Sequence, residues 1–174
     1  MAEKNRLVNF EEVVLPHLDA AYNLARWLTR NDADAEDVVQ EAILRAFRFF
    51  KGFHGGDSRA WTLKIVRNTC YSWLQKNRAH ENMSEFDEEL HSGESGNPET
   101  LLIESIDKRR LKQILDELPL EFREIVILRE LEGLSYKEIA GIADLPLGTV
   151  MSRLARARAR LQIGLVSSLK GVSK

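Results

Sequence analysis

The chain has 174 residues, 44% of them hydrophobic and 30% charged, which suits one or two small globular domains. Its formal net charge of −2 is unevenly spread: residues 1–76 carry 11 basic and 10 acidic side chains, 77–107 carry 1 and 9, and 108–174 carry 13 and 8. A single cysteine, Cys70, excludes an internal disulfide and fits a reducing compartment, and the lack of a membrane-length apolar run or a signal peptide leads us to expect a cytoplasmic protein.

Phe10, Val13, Val14, Leu18, Tyr22, Ala25 and Leu28 recur at helical spacing, which predicts one long helix ending near Thr29 and Arg30. Asn31, Asp32, Ala33 and Asp34 form a capping cluster, and Asp34 followed by Asp37 approximates a capping box. The next helix, to about Phe50, should bury Val38, Ala42, Leu44 or Phe47, and Phe49 or Phe50. Gly52, Gly55 and Gly56 predict an irregular loop. Asp57 or Ser58 then caps a third helix through Trp61, Ile65 and Leu74 to about Asn77. No stretch alternates with a period of two, so this part is expected to be an all-α three-helix domain.

Residues 78–97 are polar and acidic, and their composition predicts a flexible acidic linker. Helical periodicity returns at Leu101 and Leu102, passes through Ile106, Leu111, Ile114 and Leu115, and stops at Leu118 before Pro119. Phe122, Ile125, Val126, Leu128 and Leu131 predict a further helix, ended by Gly133.

The last part carries the strongest pattern. Ile139, Ala140 and Ala143 predict a short amphipathic helix, interrupted at Asp144 and Leu145 because the residue before a proline is pushed out of the helical region. Asp144 holds a turn position often given to glycine, and aspartate tolerates a left-handed backbone better than most residues. Pro146 suits the first turn of a new helix. In that helix Val150, Leu154, Ala157, Leu161 and Leu165 lie on one narrow face, with Ser152, Arg153, Ala155, Arg156, Ala159 and Arg160 opposite. From Leu145 onward there are six Lys or Arg and no acid, whereas a merely solvated face mixes signs. Two helices joined by a tight turn, with arginines and small residues facing out, predict a helix-turn-helix for the DNA major groove. With the two preceding helices, it makes a four-helix second domain.

Catalytic signals are absent from the pattern. His17, His54, His80 and His91 sit at no metal-ligand spacing, one cysteine supplies no zinc set, and the glycines match no nucleotide-binding loop. No enzyme activity, metal or cofactor is expected, and Cys70 is expected in the core. The third helix interleaves Arg59, Trp61, Lys64, Arg67, Tyr71, Trp73 and Lys76, a mixture suited to single-stranded nucleic acid, with Trp61 itself read as core.

The stretch LSYKEIAGIADLPLGTVMSRLARARARL (Leu134–Leu161) resembles the region-four helix-turn-helix of extracytoplasmic-function (ECF) sigma factors. DAEDVVQEAILRAF (Asp34–Phe47) and WTLKIVRNT (Trp61–Thr69) resemble that family's region two. The resemblance implies a region-two domain over residues 1–77, a linker over 78–97 and a region-four domain over 98–174. It implies an alternative bacterial sigma factor that binds core RNA polymerase and directs initiation at selected promoters. The clamp helices of the largest polymerase subunit would meet Asp37, Gln40, Glu41 and Arg45, and the flap of the second largest would also be a partner. The −10 element would meet Phe53, Lys64, Arg67 and Asn68. The −35 duplex would meet Thr149, Ser152, Arg153, Arg156 and Arg160. An anti-sigma protein would complete the set of partners and could hold the chain at the inner membrane. The rivals are a helix-turn-helix regulator that works without polymerase and an adaptor whose basic helix packs on an acidic protein.

Overall fold

The structure, a computed structural model, describes residues 2–81 and 101–171. Among them are eight α-helices and no strand, the all-α class expected. Helix α1 (Ala2–Val14) is separated from α2 (Leu18–Thr29) by a 3-10 turn, Leu15–His17, so the single long helix expected here is two. Pro16 is the reason, since it offers no N–H and its ring collides with the carbonyl one turn back. The first half therefore has four helices rather than three.

Helix α2 buries Ala21, Leu24, Ala25 and Leu28, an unbroken helical stripe. It ends at Arg30, whose left-handed backbone (φ 62°) directs its N–H to the Arg26 carbonyl at 2.8 Å. Helix α3 (Asp32–Phe49) is capped by Asn31, whose Oδ1 accepts from the Asp34 N–H at 3.0 Å. The cap is thus Asn31, not the expected Asp34–Asp37 pair. The buried face of α3 is Ala35, Val38, Ala42 and Ala46; of the alternatives the sequence left open, Phe47 and Phe50 pack into an apolar cluster while Leu44 and Phe49 are exposed. Small residues face the neighbours because α2 and α4 both pack closely on α3.

Helix α4 spans Ser58–Glu81, with the Asp57 carboxylate accepting from the Ala60 N–H at 3.0 Å. It runs past Asn77, so residues 78–81 of the expected linker are helical, and the rest of that linker lies outside the described residues. Helix α5 (Leu101–Glu117) precedes α6 (Leu120–Val126), which widens into a π-helical turn at Ile127–Leu131. Gly133 follows with φ 66°, as a helix-ending glycine should.

Helix α7 (Tyr136–Ala143) has a complete capping box. The Ser135 hydroxyl accepts from the Glu138 N–H at 3.1 Å, and Glu138 accepts from the Ser135 N–H at 2.7 Å. Asp144 adopts the expected left-handed conformation, φ 56°. Helix α8 (Leu147–Gly171) then runs for 25 residues, burying Val150, Leu154 and Ala157. Leu161 is half-buried, but Leu165 is 42% exposed, so the apolar face expected of α8 leaves the core before its end. Further along, Gly164 lies against Ile114 of α5 so closely that a Cβ would come within 2.8 Å of that side chain.

The two halves pack on each other, α4 against α7 and α2 against α6. Leu24, Leu28, Leu63 and Val66 of the first half share one buried cluster with Ile125, Leu128, Ile139 and Leu154 of the second. Each such side chain contributes roughly 1.5–3 kcal/mol when fully buried. A second cluster joins Phe10, Val14 and Ala46 to Phe47, Phe50 and Trp61.

Candidate nucleic-acid interface

The arginine-bearing face of α8 is open. Ser152 and Arg156 are exposed, Arg153 and Thr149 are half-exposed, and neither Arg153 nor Arg156 is engaged by a carboxylate among the described residues. The Ser152 hydroxyl donates to the Thr149 carbonyl at 3.1 Å, which leaves its lone pairs outward. Ala155 and Ala159 between the arginines keep the backbone accessible. Arg160 differs from its neighbours, because its guanidinium lies 4.9 Å from the Phe122 ring centroid, a cation–π contact at the edge of the face. Arg158 lies on the flank and pairs with Glu130 of the neighbouring π-helical turn at 2.5 Å. The Glu130 carboxylate holds the Arg158 guanidinium above its ordinary range.

The second set lies on α4 and the loop before it. Lys64, Arg67, Asn68 and Tyr71 are spaced as one stripe of the helix. Lys64 and Asn68 are exposed. Phe53 is half-buried, packed on Trp61 (centroids 5.1 Å) and stacked with Phe50 (6.1 Å). Trp61 belongs to the smaller apolar cluster, as expected.

Arg67 is not free. Its Nε donates to the Glu124 carboxylate at 2.5 Å, and Tyr71 donates its hydroxyl proton to the same carboxylate at 2.7 Å. Its guanidinium also lies 3.8 Å from the Tyr71 ring centroid. Glu124 is fully buried and the Arg67 side chain is 17% exposed. Burial opposes the Arg67 cation, yet the adjoining carboxylate outweighs it and raises the pKa. Burial first, and Glu124 second, push the Tyr71 phenol above its usual range. Five residues before Lys64, Arg59 donates to the Glu132 carbonyl at 2.5 Å and to its carboxylate at 3.1 Å. Sequence reasoning missed Glu124 and Glu132. The available signal for Glu124 was an acid inside the apolar run Phe122–Leu128.

The beginning of α3 presents the third set. Asp37 and Gln40 are exposed, and Glu41 is half-buried with Arg45, whose Nε donates to it at 2.9 Å across one turn. Burial, then the neighbouring Asp37, holds the Asp34 carboxyl above its ordinary range. Exposed Leu44 (55%) and Phe49 (65%) add apolar surface further along this helix. Cys70 is buried as expected, its thiol pushed up to about 12 by burial first and by Glu124 second. Among the described residues no group of His, Cys, Asp and Glu is placed to hold a metal, and no helix is long and apolar enough to cross a membrane.

Comparison with known proteins accounts for this arrangement. Residues 13–80 match the family model for sigma-70 region 2, and residues 108–161 match that for sigma-70 region 4. The chain is 36% identical over 156 residues to the ECF RNA polymerase sigma factor SigE of Mycolicibacterium smegmatis, across 88% of this chain and 60% of that protein's length. It is 38% identical over 134 residues to the ECF RNA polymerase sigma-E factor of Escherichia coli, across 72% of this chain and 70% of that one. Among solved structures it is similar to the sigma factor RpoE of Bartonella quintana, crystallised in complex with the anti-sigma factor NepR. The TM-score is 0.74 at 31% identity, over 90% of this chain and 96% of that one. With both region models in order and relatives at these identities, the chain belongs to the extracytoplasmic-function family of RNA polymerase sigma factors.

Proposed function

We propose that the chain is an alternative sigma factor that binds core RNA polymerase and starts transcription at a restricted set of promoters. The observation that carries this reading is the open arginine face of α8 on a chain whose residues 13–80 match sigma-70 region 2. In this reading Thr149, Ser152, Arg153, Arg156 and Arg160 approach the −35 duplex, where an arginine bidentate to guanine discriminates by roughly 1–3 kcal/mol. Phe53, Lys64, Arg67 and Asn68 meet the melted −10 strand, whose grip needs cations along the backbone and a pocket for an unstacked base. Asp37, Gln40, Glu41 and Arg45 meet the clamp helices of the largest polymerase subunit, and the flap of the second largest holds the region-four half.

The chain supplies recognition while the polymerase supplies chemistry, so no catalysis of its own enters this reading. It acts in the cytoplasm and is held in check by an anti-sigma protein, as the Bartonella relative's complex suggests. Run-off transcription with purified core polymerase on a genomic fragment library tests it. Discrete starts that share upstream sequences are expected. Bound DNA without any transcript would mark a regulator that works apart from polymerase.

A further inference from the structure

At the edge of the apolar cluster shared by the two halves, the ends of α2 and α4 and the turn between α5 and α6 enclose a cavity of about 460 Å³. Its lining brings together Arg30, Arg78 and Arg123, from three separate parts of the chain, beside the cluster members Leu28 and Leu118. We propose that this cavity is a binding site for a small phosphate-bearing anion, either pyrophosphate or the diphosphate end of a nucleotide.

Arg123 is the buried member of the three, with 3% exposure. Its Nη1 donates to the carbonyls of Asp116 at 2.9 Å and Leu118 at 3.4 Å, which ties it to the end of α5. Its Nε is buried as well and has no hydrogen-bond partner among the described residues. An unpaired charge in a dry setting is costly, so a buried guanidinium normally meets a carboxylate. Arg123 meets none, and among the described residues no ion pair engages Arg30 or Arg78 either. Like charge is added instead. Burial first, and Arg30 second, pull the Arg123 guanidinium down to about 10, still cationic near neutral pH, with Asp116 opposing.

A phosphate supplies what this lining lacks, because its oxygens match the fork of a guanidinium and its charge offsets the clustered cations. Arg30 and Arg78 are exposed, with side chains free to close over a bound anion. Arg30 also holds a left-handed backbone (φ 62°), where glycine would be easier, so the arginine is carried there at a cost. Asp34 and Glu117 line the cavity too and work against an anion, but three cations against two carboxylates leave the lining net positive. Trp73, Leu74 and Leu120 add an apolar wall that suits a flat ring. The volume lies in the range of small-molecule sites and leaves room beyond a bare pyrophosphate.

Isothermal titration calorimetry of the full chain with sodium pyrophosphate, and separately with ADP, tests the site. One-to-one binding of at least one probe is expected. Arg30→Gly, which suits its backbone, and Arg78→Gln should each weaken binding by about fivefold or more, the loss of one charge-assisted contact. Arg123 is left intact in these variants because it also ties α5. Asp34→Asn should tighten binding by about twofold or more. Lys137→Gln, which removes a cation on α7 outside the cavity, should bind as the wild type does. ADP tighter than pyrophosphate would assign the apolar wall to the base, and ADP no tighter would assign the site to the diphosphate alone. Added pyrophosphate or ADP, whichever binds, should raise the melting temperature of the wild type more than that of Arg30→Gly. No binding of either probe would mean that water alone satisfies Arg123 and would overturn the proposal. Equal losses in Arg30→Gly, Arg78→Gln and Lys137→Gln, or equal rises in melting temperature, would overturn it as well. These assays stand apart from the sigma-factor reading, which run-off transcription judges.

Discussion

Helices α4 and α8 each carry a line of basic residues on one side, yet the two lines are held differently. On α8, Arg153 and Arg156 stand clear of any described carboxylate, spaced by alanines and a serine. On α4, Arg59 and Arg67 are both turned into the opposite half of the molecule and paired with Glu132 and Glu124. The pairs differ in environment as well: Glu124 has no exposure at all, whereas the Glu130 that meets Arg158 on the flank of α8 is 47% exposed. A basic residue on a nucleic-acid-binding helix is thus not a free cation by default. Its availability depends on what the rest of the fold lays against it: the arginine face of α8 is open, while two arginines of α4 are engaged.

The sharpest way to press this contrast uses the two sides of α8 itself. Leu154→Ala, on the buried side, should lower unfolding free energy by about 2–5 kcal/mol in urea titration. Arg156→Ala, on the open side, should leave stability within about 0.5 kcal/mol and weaken promoter binding of the holoenzyme by about 5- to 150-fold. A large stability loss for Arg156→Ala would mean that its side chain is structural and the face not free. Next in size is α3, which we propose meets polymerase: Gln40→Ala with Glu41→Ala should weaken core binding by about fivefold or more in a pull-down titration. Unchanged binding would remove those two residues from the docking surface.

The smallest effect comes from His17, whose Nε2 lies 2.9 Å from the Ser58 hydroxyl at the start of α4. Burial first, and Arg59 second, hold His17 below its ordinary 6.5, with Asp57 opposing. The unfolded chain therefore takes up this proton before the folded one. Its contribution to stability is intact above pH 6.5 and declines as pH falls from there toward the depressed folded value. The melting temperature of His17→Gln should accordingly fall less than that of the wild type between about pH 7.5 and 5.5. Equal slopes would show that other groups set the acid limit.

Most helices could be found in the sequence, because a 3.6-residue period survives wherever one side is buried, and the turn chemistry at Gly133, Asp144 and Pro146 is local. The break at Pro16 was equally local, but the apolar period runs straight through it. On α3 the helical period named Val38 and Ala42 but left Leu44 or Phe47 and Phe49 or Phe50 open. Phe47 and Phe50 turn inward, and tight packing between α2 and α4 adds the small Ala35 and Ala46, which hydrophobicity alone does not single out. Within the candidate site, the residues on α8 were legible since helix phase alone sends them outward. The engagement of Arg67 was not, because its partner lies beyond any local pattern and is set by how the halves meet.

The unbroken length of α8 has a mechanical consequence. At 1.5 Å per residue its 25 residues form a rod about 37 Å long, with the arginines reaching from its first third to its middle and the exposed Ile163, Val166 and Leu169 beyond them. The rod has no hinge among those residues, and Gly164 seats it directly on α5. A tilt of only about 10° about one end would carry the opposite tip through roughly 6 Å, more than the rise of a helical turn. The buried Val150, Leu154 and Ala157 and the close seat of Gly164 on α5 together hold the rod against such a tilt, so the direction of the arginines is set by the core beneath them.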